Sequence, residues 1–327
     1  MTNNRTETNF VCAVDLGGTN LRAAIIDRQG HIHERVKTAT PESNKAEPIV
    51  SAIATAVREC QAKSKHQGSQ TKAVSIVVPG SVQAETGIVV NAPNLASLQG
   101  LRLAAALEQE LDQPVLIEND ANAASLGEMW QGAARSYRTI ICLTLGTGVG
   151  SGIILEGELW RGVDGTAAEI GHTSIEPFGS VRCKCGNTGC LEVYASATAI
   201  VRMTREALTQ NQNSCLREVA DRNLTAEKVH QAALEGDQLA LDVFRNVGIH
   251  LGIAMASVTN IFNPEMIVIG GGVSAAWDLF ARDARAEVMK RAFPVPARRC
   301  QIVRAECGDD AGSLGAAWLA FATRRSV

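Results

Sequence analysis

Phe10-Val-Cys-Ala-Val14, Asp15-Leu-Gly-Gly-Thr-Asn20 and Leu21-Arg-Ala-Ala-Ile-Ile26 follow one another without interruption. Short apolar runs on either side of a Gly-Gly turn predict a β-hairpin. The plan recurs far along the chain. Thr139-Ile-Ile-Cys-Leu143 leads into Thr144-Leu-Gly-Thr-Gly-Val-Gly-Ser-Gly152 and then Ile153-Ile-Leu155. Both stretches read strand, glycine-rich turn, strand, with Leu-Gly at the turn. The chain therefore reads as two halves of common design, each opened by a hairpin.

Outward from the hairpins, apolar spacing predicts helices over Pro48–Ala62, Leu101–Leu111, Ala195–Leu208, Ala226–Leu234, Leu239–Val258 and about Gly312–Thr323. Val74–Val78 reads as a buried strand ended by Pro79-Gly80. Val115-Leu-Ile117 is a short strand running into Glu118-Asn-Asp120 and a helix from Ala121 to Glu128. Met266–Ile269 is another strand, broken by Gly270-Gly-Gly272. Strands alternating with helices make the fold class α/β. No linker or low-complexity segment divides the chain, so the boundary is a hinge near Asp120. The expected domains are 1–120, joined by the last helix at about 312–327, and a larger 121–311.

The 327 residues suffice for two domains. Hydrophobic residues make up 46% and charged residues 20%, the balance of a soluble globular protein. A net charge of -3 argues against nucleic-acid and membrane-surface partners. The start is polar, without the apolar core of a signal peptide, and no apolar run reaches the ~20 residues of a membrane span. A cytoplasmic protein is expected.

Glycine-rich turns expose backbone N–H groups in a concavity suited to phosphate oxygens. Asp15-Leu-Gly-Gly-Thr-Asn20 adds a carboxylate, a hydroxyl and an amide, groups that orient a phosphate-bound Mg²⁺. One such turn is equally a plain tight hairpin. Two of them, opening similar halves, suggest one nucleotide gripped from two sides across a cleft. Neither has the Walker or Rossmann glycine pattern. Asp120, at a strand end beside a helix start, sits where α/β folds bind ligands. It reads either as a helix N-cap or as a general base that takes a proton from a hydroxyl attacking phosphorus.

His172, Cys183, Cys185 and Cys190 form a His-x10-Cys-x-Cys-x4-Cys cluster, with Glu169 and Glu192 just outside its ends. Three thiols and an imidazole complete a tetrahedral set for a structural Zn²⁺, leaving no open position for catalysis. The other cysteines, Cys12, Cys60, Cys142, Cys215, Cys300 and Cys307, are expected as small buried residues. His31, His33, His66 and His230 are expected at the surface, Trp277 and Trp318 in packing, and Arg324-Arg325 in a tail.

Taken in order, Asp15-Leu-Gly-Gly-Thr-Asn20, Glu118-Asn-Asp120, Leu145-Gly-Thr-Gly-Val-Gly150, Glu169-Ile-Gly-His172 and Cys183-Lys-Cys-Gly-Asn-Thr-Gly-Cys-Leu-Glu192 resemble the ROK family of repressors, open reading frames and sugar kinases. Within it the chain looks most like the ATP-dependent glucokinases. The resemblance implies a two-domain fold related to actin and hexokinase, of the ribonuclease H-like ATPase kind with a zinc loop, and a homodimer. It implies Asp120 as catalytic base. Gly80, Asn94 (in Asn91-Ala-Pro-Asn94), Asn119, Asp120, Glu169, His172 and Glu192 would bind the sugar, His172 being shared with zinc. Asp15, Gly17, Gly18, Thr19 and Asn20 would form the first phosphate loop, and Gly146, Thr147 and Gly148 the second. Gly270, Gly271 and Gly272 would let the adenosine approach. Ala168 stands where the family usually has glycine. The expected reaction is ATP-dependent phosphorylation of glucose at its 6-hydroxyl, with N-acetylmannosamine or N-acetylglucosamine as alternative acceptors. A sugar-sensing repressor is a distant alternative, since such relatives add a DNA-binding segment and the first loop here starts at Asp15.

Overall fold

In the computed structural model, residues 10–64, 71–210, 213–219 and 221–323 are described, and the chain divides into two compact units. The first takes the residues up to Ser136, the segment Leu159–Ala167, and those from Asp309 onward. The second takes Tyr137–Glu158 and Ala168–Gly308. His66 and the Arg324-Arg325 pair lie outside the described residues.

The first half holds β1 (Phe10–Leu16), β2 (Asn20–Asp27), β3 (Ile32–Ala39), β4 (Val74–Val78), β5 (Ser81–Gln83), β6 (Ile88–Asn91) and β7 (Val115–Asn119), with helices α1 (Glu47–Lys63), α2 (Leu103–Leu111) and α3 (Asp120–Gln131). The second holds β8 (Ile140–Leu145), β9 (Val149–Leu155), β10 (Glu158–Leu159), β11 (Met266–Gly270) and β12 (Gln301–Arg304). Its helices are α4 (Glu192–Ala195), α5 (Ala197–Thr209), α6 (Ala226–Leu234), α7 (Gln238–Phe262), α8 (Trp277–Arg291) and α9 (Pro294–Arg299), before α10 (Ala311–Ala322) closes the described chain.

Both predicted hairpins are present. β1 pairs antiparallel with β2 from Phe10↔Asp27 to Leu16↔Leu21, and β8 with β9 from Ile140↔Ile154 to Leu145↔Val149. Each hairpin continues into parallel strands, giving five-stranded sheets ordered β3-β2-β1-β4-β7 and β10-β9-β8-β11-β12. The common plan and the α/β class hold. Strand β4 is buried throughout, as its mostly apolar run, broken only by the small Ser75, requires of a central parallel strand. Periodicity predicts neither β3 nor β12. Both are edge strands with polar residues facing water, so each shows only half a core pattern.

In the first unit, α1 and α2 bury Ile49, Ile53, Val57, Leu103 and Leu107 against the sheet residues Val14, Ile25, Ile76 and Ile117. Helix α10 packs on α3, β1 and β4. The α3–α10 crossing is made by small residues: Gly127 faces the Ala311 carbonyl and Gly315 faces the Ala123 carbonyl, with no room for a Cβ at either glycine. The expected boundary at Asp120 would separate α3 from this partner; the units instead divide after Ser136. In the second unit α7 is the core helix, packed by α5, α6 and α8 and burying Phe244, Leu251 and Met255. Helix α7 is long and apolar enough to cross a membrane by length and composition, but most of its apolar stretch is buried inside the unit.

Candidate functional site

Strand β7 ends in the site's densest polar network. Glu118, 1% exposed, accepts from the Asn119 N–H and from Asn122 Nδ2 through Oε1, both at 2.9 Å, while Oε2 meets Arg161 Nε and Nη2 at 2.8 Å. Asn119 caps α3: its Oδ1 accepts from the Asn122 N–H at 3.0 Å. Its Nδ2 donates to the Gly80 carbonyl at 2.7 Å and to Asp120 Oδ1 at 3.0 Å. The capping role thus falls on Asn119, and Asp120 is left for other work. Gly80 itself holds φ +118 and lies so close to the Asn91 carbonyl that a Cβ would overlap it.

Asp120 keeps an accessible face, yet protein crowds the rest of its carboxyl group. That loss of hydration, reinforced by the charge of Asp15, raises its pKa to about 6, against the pull of the Ala121 N–H and Asn119 amide. Asp15, half-buried at the end of β1, is also pushed up by burial, with Arg22 opposing and Asp309 adding to the shift. The first glycine turn is pinned by the Gly17 N–H on the Asn20 carbonyl at 2.8 Å and by Thr40 Oγ1 on the Gly17 carbonyl at 2.7 Å. Gly18, Thr19 and Asn20 are exposed there, and Gly18 abuts Asn94, which is itself exposed. The structure therefore gathers Asp15, the first turn, Gly80, Asn94, Asn119 and Asp120 within the first unit.

The second unit carries the remaining residues. A short turn, Ile170–His172, is pinned to β9: the Ile170 N–H donates to Ser151 Oγ at 3.2 Å, and Ser151 bonds the Ala168 carbonyl. The loop beyond doubles back through the bridges Ser174↔Cys190 and Arg182↔Thr188, which brings the three cysteines to His172. The ligand atoms of His172, Cys183, Cys185 and Cys190 all lie within 4.8 Å of one another. Tetrahedral bonds of about 2.3 Å put zinc-bound sulfurs about 3.8 Å apart. Cys185 and Cys190 sulfurs are 3.7 Å apart and Cys183 Sγ is 3.6 Å from His172 Nδ1, so the donor set fits the ion. The other ring nitrogen, Nε2, lies 3.9 Å from Glu169. Glu192 joins the cluster to the second glycine turn: Oε1 is 3.7 Å from Cys183 Sγ, and Oε2 accepts from the Val149 N–H at 3.1 Å. A Cβ on Gly148 would fall on that carboxylate.

A cavity of about 460 Å³ opens beside this turn, lined by Gly146, Thr147 and Gly272 together with Ala197, Ile200, Ala226 and others. Two predicted nucleotide segments thus share one wall, although Gly148, Gly270 and Gly271 are not among its lining residues. Sequence reading missed Glu227, His230 and Phe244, which also line it. His230, expected at the surface, is half-buried with its ring edge-on to Phe244. One further expectation needs correcting. Cys215 is exposed and Cys307 only half-buried, because both lie outside regular core elements; the other scattered cysteines are buried. His31 and His33 are exposed as expected, but both rings reach Asp27, at 3.2 and 2.7 Å.

The profile of the ROK family matches residues 11–323. A glucokinase of Halalkalibacterium halodurans is 38% identical over 308 residues, 94% of this chain and 93% of its own length. Among solved structures, a ROK family glucokinase from Streptomyces griseus in complex with glucose and AMPPNP is similar with a TM-score of 0.79 at 35% identity, covering 96% of this chain and 99% of that one. A ROK family transcriptional regulator, homologous to the Escherichia coli Mlc protein, has a TM-score of 0.88 at 30% identity, covering 98% of this chain and 80% of that chain. A family match over nearly the whole chain, on the same turns and Cys/His cluster that the structure assembles, places the protein in the ROK family.

Proposed function

We propose that the protein transfers the γ-phosphoryl group of ATP to the 6-hydroxyl of glucose, with Asp120 as the general base. The observation that carries this reading is the Asp120 carboxyl group, raised to about 6 and steadied on Oδ1 by Asn119 and the Ala121 N–H. A base near neutrality is ionised at working pH yet basic enough to take a hydroxyl proton. Oδ2 is the oxygen left to receive it.

The other assignments follow the chemistry of each group. Asn94, Asn119, Glu169, His172 and Glu192 present amides, carboxylates and an imidazole to sugar hydroxyls, and Gly80 offers backbone without a side chain. The backbone N–H groups of Gly18, Thr19 and Asn20, and of Thr147 and Gly148, hold phosphate oxygens, while the Gly17 and Gly146 N–H groups close the two turns on the Asn20 and Gly148 carbonyls. The cavity lined by Gly146, Thr147 and Gly272 takes the adenosine. Asp15 fits the oxygen donor that Mg²⁺ needs, and the ion supplies neutralisation of phosphate charge when bound. Zinc on the cluster supplies rigidity to the loop that bears His172 and Glu192. The glucokinase relative and the glucose- and AMPPNP-bound structure support substrate and donor alike.

A coupled assay with ATP across glucose, mannose, fructose, N-acetylglucosamine and N-acetylmannosamine tests the proposal. Glucose turned over with the highest kcat/KM supports it. Acetylated sugars phosphorylated as well as glucose would shift the assignment to a hexosamine kinase. Sugar binding without turnover, with ATP or polyphosphate as donor, would point to a sensor.

A further inference from the structure

We infer that Arg161 is a positioning residue for phosphoryl transfer, acting through Glu118 on Asn119 and thereby on Asp120; the inference rests on the function proposed above. Arg161 reaches Glu118 across 43 positions of sequence and meets Oε2 with two nitrogens, Nε and Nη2, both at 2.8 Å. The fork closes on a single oxygen, so it fixes Oε2 and offsets the charge, while the donors on Oε1 hold the other side of the carboxylate. The Glu118 side chain is 2% exposed, so no water competes for that orientation.

The orientation passes on through Oε1. That oxygen takes the Asn119 N–H and Asn122 Nδ2. Asn122 is 4% exposed, and among the described residues its buried Oδ1 has no partner, so within them its amide is held at the Glu118 end. The Asn122 N–H in turn holds Asn119 Oδ1, which turns Asn119 Nδ2 toward Asp120. Glu118 thus holds Asn119 from two directions, by its backbone and through Asn122. Losing Arg161 frees Oε2 and leaves a buried charge without its cation, so the carboxylate can pivot about Oε1 and the constraint on Asp120 slackens.

Arg161 is supplied by Leu159–Ala167, a segment anchored in the first unit. Gly165 lies hard against the Val82 carbonyl, and the Ala167 N–H donates to the Arg161 carbonyl at 3.2 Å. The segment runs directly into Ala168 and Glu169. Nothing local in the sequence marks Arg161, since its partner is defined only by the fold.

The test compares the parent protein with Arg161→Gln, Arg161→Lys, Glu118→Gln and the Arg161→Gln/Glu118→Gln double variant. It reads kcat, KM for glucose and ATP, and the melting midpoint. A misplaced base costs about 10- to 100-fold in kcat for Arg161→Gln, while both KM values stay within about threefold. Arg161→Lys recovers part of the loss by keeping the charge without the fork. The double variant falls no further than the worse single variant, as expected of groups acting in series. Parent-like kcat in Arg161→Gln with a lowered melting midpoint would overturn the inference and leave a structural staple. Losses that multiply in the double variant would overturn it as well. If Arg161→Gln does not fold, Arg161→Lys decides: reduced kcat at unchanged KM supports the inference, and parent-like kcat overturns it. A parent protein that phosphorylates no hexose sinks the proposed function itself, which the parent assay alone reveals.

Discussion

Asn119 Nδ2 donates to Asp120 Oδ1 at 3.0 Å, so the residue that caps α3 also steadies the carboxylate beside it. Capping and proton abstraction compete for the same oxygens when one side chain must serve both. Here the cap falls to Asn119 and the proposed base role to its neighbour, so Asp120 can be mutated without removing the cap. Asp120→Asn is accordingly expected to lower kcat by about a hundred- to ten-thousandfold while leaving glucose affinity largely intact. Isothermal titration with glucose beside the coupled assay checks the split. Turnover within tenfold of the parent would remove Asp120 from the chemistry.

The pH dependence follows from the raised Asp120 carboxyl. The base works ionised, so kcat/KM of the free protein should fall below about pH 6, well above the range of an ordinary aspartate. Stability runs the other way. The folded state holds this proton up to about 6 and the unfolded chain only to about 3.8, so Asp120 costs the fold stability as pH rises through that window. Asp120→Asn cannot ionise and escapes the cost. It should melt no lower than the parent above about pH 7, with the advantage shrinking near pH 4. An acid limb near pH 4, or an Asn variant that melts lower at neutral pH, contradicts the assignment.

What was legible in the sequence was local. The hairpins β1–β2 and β8–β9 declare themselves because glycine turns and apolar runs lie side by side, and β7 with its helix start does the same for Asp120. The Cys/His cluster was readable because most of its spacing lies within one loop. Residues joined by packing were not. Arg161 reaches Glu118 over 43 positions, and His230 and Glu227 become cavity walls only when α6 lies beside α7 and the second glycine turn. Helix α8, Trp277–Arg291, is studded with charged residues and shows little apolar stripe, so its packing on α7 could not be read from its own pattern.

Zinc removal gives a separate test. The parent should carry stoichiometric zinc by elemental analysis, and Cys185→Ser should lose it. His172 and Glu192 then lose their common anchor, so the glucose KM should rise by about tenfold or more, with a lower melting midpoint. The first glycine turn and the cavity wall at Gly272 contain no cluster residue, but Glu192 also holds the second glycine turn at the Val149 N–H, so the KM for ATP should rise too, by less than the KM for glucose. An unchanged glucose KM in the zinc-free variant would reduce the cluster to a staple.

Ala168 sits at φ +67, the left-handed region that an alanine enters at a cost of about 1 kcal/mol. The position follows Ala167 and directly precedes Glu169, so the strain lies at the approach to a proposed sugar ligand. Ala168→Gly relieves it but adds unfolded-chain entropy worth about 0.5–1 kcal/mol, which leaves stability equal or slightly higher. Ala168→Val, with a β-branched side chain at the same φ, should destabilise. Denaturant midpoints of the two variants check the sign, and a destabilised glycine variant would show that the alanine side chain contributes packing that outweighs its strain.

The α3–α10 crossing gives the last prediction. Gly315 packs against the Ala123 carbonyl so closely that a Cβ at position 315 has no place to go. Backbone cannot rotate away as a side chain can, so Gly315→Ala must push the two helices apart, at about 1–3 kcal/mol. For units of this size that corresponds to a drop of several degrees, at about 2–4 °C per kcal/mol. Because α3 begins at Asp120, displacement should also reach the base, lowering kcat more than KM. Both readouts moving together ties the crossing to the site. A lower melting midpoint with parent kcat would mean that α10 gives way instead and leaves Asp120 where it is.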